Sequence, residues 1–257
     1  MPEKLTVLAV GAHPDDIEVS CAGTLIRYVK EGHKVYIATA CTGNVGSKTL
    51  SGPEIEAIRV VEAQRSAEVI GAELIMLGYR DGEVWLDNST WKRVVDVIRR
   101  TNPDVILTHD RDDYTHDHSN VGELAYRAAI WASVANIPDT QYPPIDHIPT
   151  VFYFETSGMN RVAPPDHYVD ISQEFEQKCL AFQQHASQHG DFLEKQFGFK
   201  DWFEYVEIVN KMRGFQCGCK YAEAFRVVQT WPNQKACRLL PPLQFDTHSF
   251  ITAGSQI

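Results

Sequence analysis

Leu5-Thr6-Val7-Leu8-Ala9-Val10 leads through Gly11-Ala12-His13-Pro14-Asp15-Asp16 into a stretch whose apolar positions are Ile17, Cys21, Leu25 and Tyr28. The opening run is short, continuous and apolar, and a glycine turn bounds it. That is the pattern of a strand buried on both faces. The apolar residues that follow recur three or four apart, which places them on one face of a helix. Strand, turn and helix make half of a βαβ unit, and the same pair recurs downstream.

Further strands are predicted at Lys34–Ala40, Glu73–Leu77, Asp104–Thr108 and Val151–Glu155, beside the first at Thr6–Val10. Between them, Pro53 opens a helix carrying Ile55, Ile58, Val61 and Val69 that stops near Gly71. Val94, Val97 and Ile98 mark a third helix, stopped by Asn102-Pro103, and Val121, Leu124, Ala125, Ala128, Trp131 and Ala135 mark a fourth. Such alternation predicts an α/β fold with a Rossmann-like, mostly parallel sheet and helices on both faces. Beyond residue 160 the pattern loosens. A strand at His167–Ile171 and helices over Ser172–Gln188 and Gly198–Arg213 are followed by an irregular C-terminal extension containing Trp231-Pro232 and Pro241-Pro242. No repeat or linker interrupts residues 1–257, so a single domain is expected.

The chain has 257 residues, a net charge of -10 and no Lys/Arg-rich run, which argues against nucleic acid or an anionic membrane as partner. The apolar run at the start is too short to span a membrane and lacks the basic flank of a signal peptide, so a cytoplasmic location is expected. Six cysteines (Cys21, Cys41, Cys179, Cys217, Cys219 and Cys237) are too few for a disulfide framework in a chain of this length and read as reduced. Cys217-Gly-Cys219 has no second pair to complete a metal site.

Two segments carry chemistry. Gly11 to Asp16 lies between the first strand and its helix, where open α/β sheets bind their ligands. A neutral imidazole and a carboxylate suit zinc, and consecutive side chains in a loop point different ways, so one aspartate can coordinate while the other accepts a proton. Asp15-x-x-Glu18 is equally a capping-box pattern, and by itself this segment reads as cap or site. The second segment follows the fourth strand. Three histidines and four aspartates fall between Thr108 and His118, more than a solvated loop requires. If strands one and four are neighbours at the switch point, the two segments converge. Ser119 is the expected N-cap of the helix that follows, with His118 beside the cleft.

Ala12-His13-Pro14-Asp15-Asp16 followed by Ile17-Glu18-Val19-Ser20-Cys21-Ala22-Gly23-Thr24-Leu25 resembles the opening motif of the LmbE-like, or PIG-L, deacetylases. The resemblance continues through Asp113-Tyr114-Thr115-His116-Asp117-His118 to Lys220-Tyr221-Ala222-Glu223-Ala224-Phe225 and covers most of the chain. It implies one Zn2+ per chain, held by His13, Asp16 and His118, with Asp15 as general base. It also implies hydrolysis of the N-acetyl group of a GlcNAc-type substrate, an EC 3.5.1-type reaction giving acetate and a free amino sugar. The family's common His-Pro-Asp-His becomes Thr115-His116-Asp117-His118 here, which leaves the acid or oxyanion role to His116, one residue away, or to another donor, and gives Asp117 the task of orienting a histidine. Arg59 and Asp81 match family positions that contact substrate, and the family brings with it a homo-oligomer, a trimer or hexamer. The loops at 42–52, 136–150 and 156–168 are expected at the pocket mouth.

Three rivals are weaker. His109-Asp110 suggests a metal phosphohydrolase of an all-helical class, which the strands oppose. The glycines in Thr42-Gly43-Asn44-Val45-Gly46-Ser47 do not have phosphate-loop spacing. A non-catalytic carbohydrate- or metal-binding protein on the same fold is favoured by Thr115 and opposed by the intact His-Pro-Asp-Asp.

Overall fold

A computed structural model describes residues 4–155, 164–189 and 201–228. The Trp231-Pro232 and Pro241-Pro242 tail, Cys237 and residues 156–163 lie outside them. Strands β1 (Thr6–Gly11), β2 (Lys34–Cys41), β3 (Glu73–Tyr79), β4 (Val105–Thr108), β5 (Thr150–Phe154), β6 (His167–Asp170) and β7 (Ala222–Val227) form one sheet in the order β3-β2-β1-β4-β5-β7-β6. The first five are parallel, and β7 runs antiparallel to both neighbours. The mostly parallel α/β sheet is as expected.

Helices α1 (Asp16–Ser20), α2 (Ala22–Lys30), α3 (Gly52–Ile70), α4 (Asn88–Thr101), α5 (His116–Trp131), α6 (Phe175–Gln183) and α7 (Trp202–Cys217) complete the described fold. The alternation along β1 explains the layers. Val7 and Ala9 face Leu25, Ile26, Ile70 and Phe175, while Leu8 and Val10 face Val95, Ile98, Val121 and Leu124. β1 is therefore apolar on both sides.

Several boundaries differ from the sequence reading. The first helix breaks at Cys21, whose backbone (φ -144°, ψ 9°) is not helical, so α1 and α2 are separate. Thr115, not Ser119, is the N-cap of α5, because its hydroxyl accepts the His118 N–H. His118 consequently lies inside the first turn. The Lys220–Phe225 segment, recognised only as a motif, belongs to strand β7. Cys21, Cys41, Cys179, Cys217 and Cys219 are all free thiols. Among the described residues no helix is long and apolar enough to cross a membrane.

β1 and β4 are hydrogen-bonded neighbours, with Val10 opposite Thr108, so the segments that follow them share one end of the sheet. Close packing sets their spacing. A Cβ at Gly122 of α5 would sit 2.3 Å from the His109 carbonyl oxygen. Only glycine lets α5 approach the backbone beyond β4 this closely. Gly122→Ala is expected to push α5 outward, costing about 1–3 kcal/mol in chemical denaturation. It should also weaken metal affinity at least tenfold in a titration against a chromophoric chelator. Unchanged values for both would show that the loop yields without cost.

Candidate metal centre

The turn after β1 adopts a backbone that side chains rarely accept. Asp15 has φ 105°, a region that Asp and Asn visit more readily than other non-glycine residues. It occupies the N-cap position of α1 but caps nothing. Its Oδ2 instead receives the Arg59 Nη2–H at 3.0 Å, and Glu18, the other half of the supposed capping box, bonds Ser66 and approaches His185 at 3.2 Å. The cap reading of this segment therefore fails. The strained turn splits the two aspartates, sending Asp15 toward Arg59 and Asp16 toward the histidines.

His13, Asp16 and His118 come together as a group of potential metal ligands. His13 Nδ1 lies 3.2 Å from His118 Nε2 and 3.5 Å from Asp16 Oδ2, while His118 Nε2 lies 3.4 Å from Asp16 Oδ1. For a tetrahedral ion with donors at ~2.0–2.1 Å, ligand atoms stand about 3.3 Å apart. The His13–His118 separation matches that edge length, Asp16 offers a different oxygen to each histidine at a comparable distance, and two imidazoles with a carboxylate are a donor set for a divalent transition metal. The residues fit the ion.

The outer partners fix which ring atoms face the centre. His13 Nε2 lies 3.1 Å from Asp117 Oδ2, so a proton held there leaves Nδ1 with its lone pair toward Asp16. Asp117 is itself held by the N–H groups of Gly82 (2.6 Å) and Val84 (3.3 Å). Its pKa falls to about 2, because the His13 hydrogen bond and these N–H donors outweigh the burial that would raise it. His118 Nδ1 lies 3.3 Å from Asp113 Oδ1, which turns Nε2 inward in the same way. Burial would lower the His13 pKa, but hydrogen bonds to Asp117 and Asp16 hold it high. Burial likewise opposes ionised Asp16, yet His118 and His109 keep it well below the usual carboxylate range. Asp15 behaves differently: burial pushes it up, and the Arg59 guanidinium pulls it down only in part.

The cleft over this group has a volume of about 260 Å³. His13, Asp15, Asp16, Arg59, His109 and His118 give its polar lining, and Val19, Phe182 and Trp202 its apolar lining. Tyr114, Thr115 and Gln188 also line it. The loop at 136–150 does not, for it is held elsewhere by the Arg99 guanidinium on Val134, Thr140 and Tyr142. His116 is also absent from the cleft wall. Its Nε2 is 3.0 Å from the Gly82 carbonyl oxygen and 3.1 Å from Asp117 Oδ1, and its ring stacks on Trp85.

Arg59 lines the cleft but is only 4% exposed. It donates to the Pro14 carbonyl and to Asp15, so its geometry is that of a brace behind the aspartate. The glycines after β2 serve this brace, since a Cβ at Gly43 (φ 77°) or Gly46 would meet the guanidinium group at 2.5 or 2.6 Å. That packing removes the phosphate-loop reading. Asp81 in turn accepts the N–H groups of Gly43 (2.8 Å) and Val45 (3.3 Å), which fixes the same loop.

Sequence reasoning gave Asp113 no role and read His109 only as half of the His109-Asp110 pair, although both stand next to the centre. Asp113 is 6% exposed and lies 3.6 Å from His109 Nδ1 as well as against His118. His109 Nε2 accepts the Ala12 N–H at 3.0 Å and its ring stacks on His118 at 4.1 Å. Asp110 points away and pairs with Arg226, so the adjacent His109 and Asp110 serve different places.

Comparison with known proteins bears on this geometry. The family model for GlcNAc-PI de-N-acetylase (PIG-L) matches residues 8–129. Diacetylchitobiose deacetylase of Thermococcus kodakarensis is 28% identical over 228 residues, 86% of this chain and 82% of that protein. The N,N'-diacetylchitobiose deacetylase structure from Pyrococcus horikoshii superposes with a TM-score of 0.77 at 25% identity, covering 88% of this chain and 84% of that one. The 4-oxalmesaconate hydratase of Pseudomonas putida is 27% identical over 201 residues, 72% of this chain and 76% of the relative.

Proposed function

We propose that the chain is a member of the PIG-L (LmbE-like) deacetylase family and that it hydrolyses the N-acetyl group of a GlcNAc-containing small molecule or oligosaccharide. The observation that carries the reading is the close grouping of His13 Nδ1, Asp16 and His118 Nε2 with Asp15 beside them in the cleft. Those three residues would hold one zinc ion. When bound, the ion supplies Lewis acidity, lowering the pKa of water and polarising the amide carbonyl.

The protein's own groups do the rest. Asp15 accepts the proton of the attacking water on the carboxylate oxygen that Arg59 does not hold, then returns it to the departing amine nitrogen. Arg59 keeps that carboxylate aimed into the cleft. Tyr114 lines the cleft with its ring edge-on to His118, and its phenol can donate to the developing oxyanion. His116, tied to Gly82 and Asp117, is placed to steady the loop that holds Asp117 rather than to touch the acetamide. Asp117 and Asp113 orient the two histidines. Products are acetate and a free amine.

The hydratase relative adds water to a different kind of bond, which makes the reaction itself the thing to measure. Purified protein is expected to carry about one zinc per chain and to release acetate from N-acetylglucosamine or diacetylchitobiose. Chelation should abolish that release and added zinc restore it. Zinc without acetate release from any acetamido sugar would overturn the deacetylase reading. Absence of bound metal would overturn the metal centre.

A further inference from the structure

The cleft over the metal centre is lined by two chemically different sets of residues. One set is ionic, with Asp15, Asp16, Arg59 and the histidines. The other is apolar and comes from elements late in the chain, Phe182 near the end of α6 and Trp202 at the first position of α7. Phe182 is 2% exposed and packs on His189 and Phe203 at 5.3 and 5.2 Å between ring centroids. Trp202 is half-buried, and Tyr205 meets its ring edge-on at 5.8 Å. The first turn of α7 is locked, because Asp201 caps it by accepting the Glu204 N–H at 2.9 Å. Trp202 packs on the core with part of its ring and is left partly open to the cleft with the rest.

We infer that Trp202 is a stacking platform for the apolar face of a pyranose ring, an assignment that rests on the deacetylase reading. The chemistry of such a ring is two-sided: its hydroxyls radiate outward while its C–H bonds gather on the faces. A cleft lined by both hydrogen-bonding groups and an indole matches that amphipathic shape, as it would not match an acyl chain or an anion. Its volume of about 260 Å³ lies just under the ~300–1,000 Å³ typical of small-molecule sites, which is room for one ring over the metal centre. Further sugars must then extend outside it. Trp202 thereby selects for a cyclic acetamido sugar over an acyclic acetamide, contributing to binding rather than to the bond-breaking step.

The test compares wild type, Trp202→Ala and Trp202→Phe on N-acetylglucosamine and on N-acetylethanolamine, an acetamide without a ring. Trp202→Ala is expected to raise KM for the sugar about tenfold or more with kcat within twofold. Trp202→Phe should recover most of that loss, and KM for the acyclic amide should not move. An equal rise for both substrates, or no rise in Trp202→Ala with zinc content intact, would overturn the platform. Tryptophan fluorescence during titration with glucosamine gives a readout without turnover, with quenching expected in wild type and lost in Trp202→Phe. Quenching without acetate release from wild type would uphold the platform and sink the proposed reaction. Equal quenching in wild type and Trp202→Phe would sink the platform and leave the reaction standing.

Discussion

Asp15→Asn is expected to lower kcat by roughly 10²–10⁴-fold while zinc content stays at the wild-type level, because a positioned general base contributes that much. The substitution is clean on structural grounds. Asp15 sits at φ 105°, and Asn tolerates this left-handed backbone as Asp does, whereas Ala would add strain of its own. An amide oxygen can still accept from Arg59 Nη2, so the brace survives. The metal ligands are untouched, since Asp15 is turned away from Asp16 and the histidines. Steady-state turnover with acetate detection, alongside metal analysis of the same preparation, checks both halves. Wild-type turnover in Asp15→Asn would remove the base assignment. Loss of zinc along with activity would mean that Asp15 holds the metal site together.

How much of this was legible beforehand follows from range. The strands and helices around β1 to β4 read directly, because each apolar run is local and each stop signal, Gly71 or Asn102-Pro103, lies next to what it stops. The convergence of His13 and His118 followed from topology, since the order of a parallel sheet makes strands one and four neighbours. Four features were hidden. Asp113 could not be distinguished from Asp110 and Asp112, because only three-dimensional direction decides which of them reaches His118. Arg59 resembled a substrate contact, and its role as a brace appears only once Gly43 and Gly46 are seen packed on its guanidinium. His116, one residue from the expected histidine position, lies on a helical first turn where a single step rotates the side chain about 100°, from the cleft toward Gly82. Strand β7 went unread as a strand because Glu223, a charged residue that is 1% exposed, breaks the apolar pattern in its middle.

That buried glutamate leads to the second large effect. Glu223 accepts the N–H groups of Gly23 (2.9 Å) and Thr24 (2.7 Å) at the start of α2, and Lys178 Nζ at 2.6 Å. Lys178, also fully buried, donates to the Val19 carbonyl at 2.9 Å near the end of α1. One ion pair therefore staples both sides of the break at Cys21, joining the helix that carries Asp16 to the late half of the chain. Lys178→Met is expected to cost about 3–5 kcal/mol in chemical denaturation, because it strands a carboxylate in the core. Glu223→Gln strands the ammonium instead but keeps one acceptor for the α2 amides. The double variant Lys178→Met/Glu223→Gln should be less destabilised than the sum of the singles, since neither charge remains to be buried alone. Additive losses would mean that the two groups act through separate contacts. If the staple also sets α1, the surviving fraction of each single variant should bind zinc more weakly than wild type. Lowered stability with unchanged zinc affinity would confine the pair to the core and leave the placement of Asp16 to the turn after β1 alone.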